Sequence, residues 1–194
     1  RLWVGTNGKG VYLYNRENDK FTQYLGDNSG ETLFGENIYK MCDYGDELVI
    51  GIHEGKLRKL NKRKNILTDV NAPEVHYKII RDVACFDDEL WVGTQSGVYV
   101  INELKNKISH IYNDPMCSYS LSDNQIGRIY RDRENGIWIG TNLGGVNYCP
   151  QRGIEFTRHI PLSRPYTISS KRVRELVEDE EGNIWVGTED AGIN

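Results

Sequence analysis

The chain has 194 residues, of which 38% are hydrophobic and 27% charged, and its formal net charge at pH 7 is −4. This length suits one domain with a sizeable core, and the scattered basic residues form no positive stripe that could follow a phosphate backbone, so no nucleic acid is expected as a partner. The composition, with 20 glycines and 12 tyrosines against 4 phenylalanines, favours an all-β protein of short strands and tight turns.

A five-residue pattern recurs five times along the chain. It reads Leu-Trp-Val-Gly-Thr at residues 2–6 and 90–94, Ile-Trp-Ile-Gly-Thr at 137–141 and Ile-Trp-Val-Gly-Thr at 184–188, with a divergent copy, Leu-Val-Ile-Gly-Ile, at 48–52. Successive copies are 46, 42, 47 and 47 residues apart, close to the roughly 40–50 residues of a four-stranded propeller blade. A helical repeat is disfavoured because no unit carries an apolar stripe at helical spacing.

The order of strands and turns predicts a fragment of an all-β propeller, built from four-stranded antiparallel blades of which three are full and two are partial. Residues 1–25 hold strands B, C and D, the segments 37–70, 78–112 and 125–160 are whole blades, and 172–194 holds strands A and B, so the chain is expected to be a single propeller segment. In the clearest blade the four strands run from Ile126 to Arg131, from Ile137 to Thr141, from Val146 to Cys149 and from Ile154 to His159.

The recurrent residues have structural interpretations. The tryptophan of each copy is expected in the core, because a ring that stacks on a ligand would not recur at one strand position in four of five blades. Asp132 and Asp179 stand six residues before their tryptophans and are expected to accept hydrogen bonds from the backbone of the A–B turn. The glycine of each copy is expected to let neighbouring backbone or a tryptophan approach closely; these are Gly5, Gly51, Gly93, Gly140 and Gly187.

The four cysteines, Cys42, Cys85, Cys117 and Cys149, are far apart and form no C-x-x-C pair. This spacing argues against a zinc site and against a thioredoxin-like motif, and no metal or cofactor is expected. Cys42 and Cys85 fall at nearly the same place in successive repeats, so they are expected in neighbouring blades as small core residues that are not bridged.

The sequence Asp-x-x-x-Gly-x-Trp-Ile-Gly-Thr-x-x-Gly-Gly, from Asp132 to Gly145, resembles the two-component regulator propeller repeat. The segment Tyr-Asn-Asp-Pro at 112–115, followed by residues 120–126, is similar to the family's linker before strand A. The resemblance implies the periplasmic sensor part of a hybrid two-component system of Bacteroidetes, which recognises an oligosaccharide derived from a polysaccharide and controls carbohydrate-utilisation genes. It also implies that the histidine kinase, receiver and DNA-binding parts lie beyond residue 194.

The sequence begins and ends inside blades, so the chain by itself is expected to form an open arc. Unpaired strand edges are costly, which leaves three arrangements open: a small four-bladed ring, two chains that share one ring, or a piece of a larger domain. A homodimer is expected. No stretch approaches the roughly 20 apolar residues of a membrane helix, so contact with a membrane is expected only through missing parts of the protein.

No motif supplies a nucleophile with its base, a metal-ligand cluster or an H-E-x-x-H arrangement, so this segment is not expected to be an enzyme. The leading function is a glycan sensor, the alternative is a propeller used for dimerisation or docking, and a propeller lyase or hydrolase comes third. The B–C and D–A loops of a propeller share one face around the central channel, and this channel face is the predicted ligand site. Its candidate residues are Asn7, Lys9, His53, Glu54, Gln95, Ser96, Asn142, Glu189 and Asp190 in the B–C loops, and Tyr119, Arg164 and Tyr166 in the D–A loops.

Overall fold

The computed structural model describes residues 2–24, 32–117, 119–150, 157–161 and 167–194. The chain divides into two units, one ending at Cys85 and the other beginning at Phe86. Almost all regular structure in the described residues is β, interrupted by two short 3₁₀ helices, His53–Gly55 and Pro73–Val75. Within the same residues, no helix is long and apolar enough to cross a membrane.

The strands form five sheets, in each of which consecutive strands are hydrogen-bonded neighbours. The first sheet contains β1 (Leu2–Gly5), β2 (Val11–Asn15) and β3 (Lys20–Gln23). The second contains β4 (Ile38–Tyr44), β5 (Glu47–Ile52), β6 (Lys56–Asn61) and β7 (Ile66–Asp69). The third contains β8 (Ile80–Phe86), β9 (Glu89–Thr94), β10 (Gly97–Asn102) and β11 (Lys107–Ile111). The fourth contains β12 (Ile126–Arg131), β13 (Ile137–Thr141), β14 (Val146–Cys149) and β15 (Thr157–His159), and the fifth contains β16 (Val173–Glu178) and β17 (Ile184–Thr188).

The predicted propeller-blade organisation is confirmed. Three sheets of four strands lie in sequence between one of three strands and one of two, as expected for three full and two partial blades. In the fourth sheet, strands β12, β13 and β14 have the predicted boundaries. The predicted start of strand D at Ile154 lies outside the described residues, and the strand is described from Thr157 to His159.

In four of the five recurrent patterns, the glycine lies where strand B of one sheet packs against strand A of the next. A Cβ atom added to Gly140 would lie 2.6 Å from Cγ1 of Val173 on β16, too close for two carbon atoms. The corresponding distances are 2.6 Å from Gly5 to Ile38, 2.9 Å from Gly51 to Val83 and 2.6 Å from Gly93 to Ile126. The close partner is therefore a β-branched side chain of the following strand A, rather than the backbone or tryptophan that the sequence suggested.

Gly187 has the same place in the pattern but a different environment. The atoms nearest to an added Cβ belong to Glu175 of its own sheet, at 3.5 Å, which is an ordinary contact. Among the described residues, Gly187 therefore has no strand A packed closely against it.

The expectation that Cys42 and Cys85 are not bridged is wrong, because they form a disulfide with their Cα atoms 6.1 Å apart. They lie on β4 and β8, the first strands of neighbouring sheets, as expected. Cys42 is one residue farther than Cys85 from the turn that ends its strand. Because successive residues of a strand point to opposite faces, this offset allows the two side chains to point toward each other between the sheets.

The glycine contacts predict that two alanine substitutions at equivalent positions have different effects. Gly140→Ala forces a methyl group against Val173 and should lower the free energy of unfolding by about 1–3 kcal/mol, as overpacking does. Gly187→Ala, the matched control, should change it by less than about 0.5 kcal/mol. Urea denaturation followed by circular dichroism measures both, and equal losses would contradict the packing described.

The disulfide predicts the thiol chemistry of the protein purified without reductant. Peptide mapping should recover Cys42 linked to Cys85, while Cys117 and Cys149 react as free thiols after unfolding. Cys85→Ser should lower the free energy of unfolding by about 2–4 kcal/mol, and Cys117→Ser, at an exposed free thiol, should not. Four reactive thiols in the wild-type protein would show that the bridge is absent.

Candidate functional site

The B–C loops of the predicted ligand face share one construction, seen most fully after β13. The Thr141 hydroxyl donates a hydrogen bond to the Gly145 carbonyl at 2.7 Å, and the Gly145 amide donates to the Lys171 carbonyl, in the segment that enters the next sheet, at 3.1 Å. Gly145 has a φ of 80°, which favours glycine. The same two bonds join Thr6, Gly10 and Glu36 at 2.7 and 3.0 Å, and Thr94, Gly97 and Asn124 at 2.9 and 2.8 Å. The motif's threonine and last glycine thus fix the loop and tie it to the next sheet.

The second sheet departs from this construction because Ile52 replaces the threonine. Its B–C loop is the 3₁₀ helix His53–Gly55, and the His53 ring stacks on Tyr39 with centroids 5.2 Å apart. The candidate His53 therefore packs against the second residue of strand A of the same sheet. The backbone of Glu54 lies in the same helix, while its side chain is outside the described part of the structure.

Asn142 and Tyr119 belong to the B–C and D–A loops at the fourth sheet. The Asn142 side-chain amide donates to Gln125 Oε1 at 3.2 Å, and the amide of Leu143 donates to Asp123 Oδ2 at 2.9 Å. Tyr119 is 55% exposed in the same D–A loop. The two loops therefore form one polar surface, and the D–A loop also carries an accessible aromatic ring.

At the fifth sheet, the candidate Glu189 is paired with two arginines. Its Oε2 atom lies 2.5 Å from Arg174 and 3.5 Å from Arg172. Asp190 is exposed beside it. These arginines were not predicted from the sequence, although the antiparallel pairing of strands A and B places residues at the start of A beside residues at the end of B.

The remaining candidates have separate positions. Asn7 and Lys9 are exposed, and Gln95 and Ser96 are half-buried. The Ser96 carbonyl is 2.7 Å from Nε2 of His110, which must donate the proton because a carbonyl only accepts. Arg164 and Tyr166 lie outside the described residues.

The A–B turns lie on the opposite rim, and Asp132 and Asp179 form them as predicted. Asp132 Oδ1 accepts hydrogen bonds from the amides of residues 134 and 136, and its Oδ2 accepts one from the Trp138 indole at 2.7 Å. Trp138 packs beside a buried cluster, as expected for a core residue, whereas Trp185 is 49% exposed. The prediction that each tryptophan is a core residue is therefore wrong for Trp185. In the fourth sheet, Tyr148 of strand C lies 4.5 Å from Trp138, whereas the described residues of the fifth sheet include no strand C.

A pocket of about 650 Å³ opens on this rim between the third and fourth sheets. Phe86 and Trp91 lie in its wall with ring centroids 6.0 Å apart. Arg131 spans the wall, pairing with Asp87 at 2.7 Å and lying 5.0 Å from the Phe86 centroid. Cys149 also lines the pocket, and burial raises the pKa of its thiol. This pocket was not predicted from the sequence, although the run Asp87-Asp88-Glu89 close to Trp91 was a signal for it.

No group of three or more histidine, cysteine, aspartate or glutamate side chains that could hold a metal ion occurs in the described ranges. The carboxylates of the A–B turns instead bond to backbone amides, indoles and arginines. Their arrangement suits turn formation rather than chelation.

A family model for the two-component regulator propeller matches residues 120–143 and 167–190. These two segments are two-component regulator propeller repeats. The resemblance drawn from Asp132 to Gly145 is thereby confirmed. The matched segments contain the A–B turns and strands B of the fourth and fifth sheets.

Known proteins similar to these propeller repeats include the histidine kinase P4 of Formosa agariphila, which is 26% identical over 151 residues covering 74% of this chain and 11% of that protein. The extracellular domain assigned to a hybrid two-component system of B. thetaiotaomicron matches with a TM-score of 0.73 and 22% identity, over 98% of this chain and 24% of that one. The β-propeller domain of Myceliophteria thermophila Cps50 (Swd1) matches with a TM-score of 0.65 and 12% identity, over 96% of this chain and 58% of that one. The chain therefore has a propeller fold and spans a small part of its signalling relatives.

The A–B turn of the fifth sheet predicts an unusually acidic carboxyl group. Hydrogen bonds from the side chains of Asn183 and Trp185 lower the pKa of Asp179 to about 2. Because the folded pKa is below the unfolded value of about 4, the stabilisation is present above pH 4 and is lost as the pH falls toward 2. NMR titration should give this midpoint in the wild type and a higher one in Asn183→Ala. Asn135→Gly, in the turn of the preceding sheet, is the control and should leave it unchanged; an ordinary pKa in the wild type would contradict the turn geometry.

Proposed function

We propose that this chain belongs to the extracytoplasmic sensor propeller of a hybrid two-component system, located in the periplasm. The propeller recognises an oligosaccharide derived from a polysaccharide and signals to control the transcription of carbohydrate-utilisation genes. The segment itself binds without catalysis, and the histidine kinase lies in the rest of the protein. The match of residues 120–143 and 167–190 to the two-component regulator propeller carries this proposal.

Two further observations support it. The similar chain from B. thetaiotaomicron is an extracellular domain, and the relative from Formosa agariphila is a histidine kinase. The disulfide between Cys42 and Cys85 suits an oxidising compartment such as the periplasm, because cytosolic thiols are kept reduced.

The proposed ligand site is the channel face formed by the B–C and D–A loops. In the unit that begins at Phe86, these loops combine exposed polar side chains, such as Glu189 and Asp190, with the accessible ring of Tyr119. Sugars present hydroxyl groups to such polar groups and flat C–H faces to aromatic rings. The loops are fixed by the threonine and glycine bonds described above, so little ordering is needed when a ligand binds.

The proposal predicts that the chain binds an oligosaccharide through this face. Calorimetric titration against a panel of polysaccharide-derived oligosaccharides should find a ligand, and Tyr119→Ala should weaken its binding about tenfold. Glu134→Ala, on the opposite rim, is the control and should have no effect. Phosphorylation of the intact receptor in response to the same sugar should fall with Tyr119→Ala. Absence of binding by every oligosaccharide would contradict the proposal for this segment.

Light scattering on the same sample tests the proposed homodimer. A dimer that binds no sugar would support a docking propeller in place of a sensor. If the chain is a monomer that binds a sugar, the proposed sensing role stands and the proposed homodimer is contradicted.

A further inference from the structure

The D–A connection between the second and third sheets contains a β-turn in which a tyrosine occupies a glycine position. The Lys78 amide closes the turn by donating a hydrogen bond to the Val75 carbonyl at 3.1 Å. His76 has a φ of −55° and a ψ of 139°, and Tyr77 has a φ of 61°. These angles fit a type II turn, whose third residue needs a positive φ and is therefore usually glycine. Tyr77 thus has a backbone conformation that is unfavourable for a residue with a bulky side chain.

The D–A connection between the first and second sheets contains the same turn with the expected residue. The Glu36 amide donates to the Leu33 carbonyl at 3.3 Å, and the third residue of this turn is Gly35, with a φ of 80°. The first residues of the two turns, Leu33 and Val75, are both fully buried. In each case, a Cβ atom added to the glycine of the adjoining B–C loop would overlap the carbonyl of that first residue. Tyr77 therefore stands where the equivalent turn has glycine.

Tyr77 also differs from the other residues of positive φ. Among the described residues, six that are not glycine have a positive φ, and five of them are aspartate or asparagine. Those two residue types tolerate the left-handed region because their short polar side chains can form local hydrogen bonds. A tyrosine side chain has no such compensation.

The fold of the described residues gives the Tyr77 ring little support. The ring is 90% exposed, and it makes an edge contact with the exposed His76 ring at a centroid distance of 6.2 Å. Glycine or asparagine at this position would relieve the backbone strain without a loss of core packing. Strained residues concentrate at ligand-binding and switch sites, where function maintains them. The Tyr77 ring is therefore suited to contact a binding partner.

A second aromatic pair lies on the loop that touches this turn. A Cβ atom added to Gly55, at the end of the 3₁₀ helix His53–Gly55, would lie 2.6 Å from the Tyr77 amide nitrogen. The same helix carries His53, whose ring stacks on Tyr39, and Tyr39 is 45% exposed. The B–C and D–A loops in direct contact thus both carry aromatic rings with polar atoms.

The chemistry around Tyr77 favours a sugar as the partner. In the described parts of the D–A connections that precede Cys85, the large exposed apolar side chains are two aromatic rings, Phe34 and Tyr77. Glu74 and His76, beside Tyr77, are polar and exposed. A pyranose presents a flat C–H face to a ring and hydroxyl groups to polar neighbours. A protein partner needs roughly 800 Å² of surface with an apolar centre, which one ring among charged and polar side chains does not supply.

We propose that the Tyr77 ring is a stacking platform for a pyranose of the bound oligosaccharide, and that His76 forms a hydrogen bond with a hydroxyl of the same sugar. The left-handed backbone conformation holds the ring away from the protein, where a sugar can lie against it. This inference rests on the proposed oligosaccharide ligand, and it adds a binding residue in the unit that ends at Cys85.

The test is calorimetric titration of the 194-residue chain with cellohexaose, xylohexaose and maltohexaose. Tyr77→Gly should weaken the binding of the hexaose that binds about tenfold. It should not lower the midpoint of urea denaturation, because glycine suits the backbone conformation of the turn. Tyr77→Phe should keep the affinity, because the ring remains. NMR should show Overhauser effects between the Tyr77 ring protons and the C–H protons of the sugar.

Asn65→Gly is the matched control for the substitution itself. Asn65 has a φ of 55° and lies in the C–D hairpin of the second sheet, away from the B–C and D–A loops. This variant also places glycine at a position of positive φ, and it should leave sugar binding unchanged.

The outcomes separate this proposal from the proposed function. If a hexaose binds, Tyr119→Ala weakens it and Tyr77→Gly does not, oligosaccharide sensing stands and the Tyr77 platform is overturned. If none of the three hexaoses binds, both are overturned. A lower urea midpoint in Tyr77→Gly would assign the ring a structural role. Loss of self-association in light scattering, with unchanged sugar binding, would assign it to a protein interface, and either result would overturn the proposal.

Discussion

Close packing between strand B of one sheet and strand A of the next is the contact on which the rest of the structure depends. Gly140 lacks a Cβ atom, so the β-branched side chain of Val173 can occupy the space where that atom would be. The same relation holds for Gly5, Gly51 and Gly93. This close approach brings the segment before strand A within hydrogen-bonding distance of the preceding B–C loop, where Gly145 bonds to Lys171. The packing of the sheets thus positions the loops of the channel face.

The two rims of the sheets have different chemical characters as a result. In the unit that begins at Phe86, backbone hydrogen bonds from Gly97 and Gly145 tie the B–C loops to the following sheets, and the ring of Tyr119 is exposed in a D–A loop. On the A–B rim, acidic turn residues lie beside the tryptophans of strand B. Whether the negative charge of these carboxylates is neutralised depends on the lysine and arginine side chains nearby. Asp46 has such a cation in Arg63, whereas Asp88 has none among the described residues.

The sequence was sufficient to predict the strands, because each repeat combines alternating apolar residues with turn signals at fixed offsets. The turn role of Asp132 was also predictable, since an aspartate at a tight turn readily accepts backbone hydrogen bonds. The disulfide could not be predicted from spacing alone. Cys42 and Cys85 differ by one residue in their distance from the turn, and that offset decides which faces of two sheets their side chains occupy.

The candidate site was predictable as a set of loops but not as a set of contacts. Placing Glu189 in a B–C loop followed from the repeat, while its pairing with Arg174 required the register of β16 against β17, which includes a bulge between Val173 and Glu175. The pocket between the third and fourth sheets was not predicted because its wall combines residues of two sheets, and their proximity becomes visible only in the structure.

A double-mutant cycle on Gly140 and Val173 tests the central contact most directly. Val173→Ala removes the methyl groups that would collide with an alanine at position 140, so the two substitutions together should cost less than the sum of their separate effects. Urea denaturation should give a coupling energy of about 1 kcal/mol or more in the favourable direction. Free energies that add to within about 0.3–0.5 kcal/mol would show that the glycine does not serve to admit this side chain.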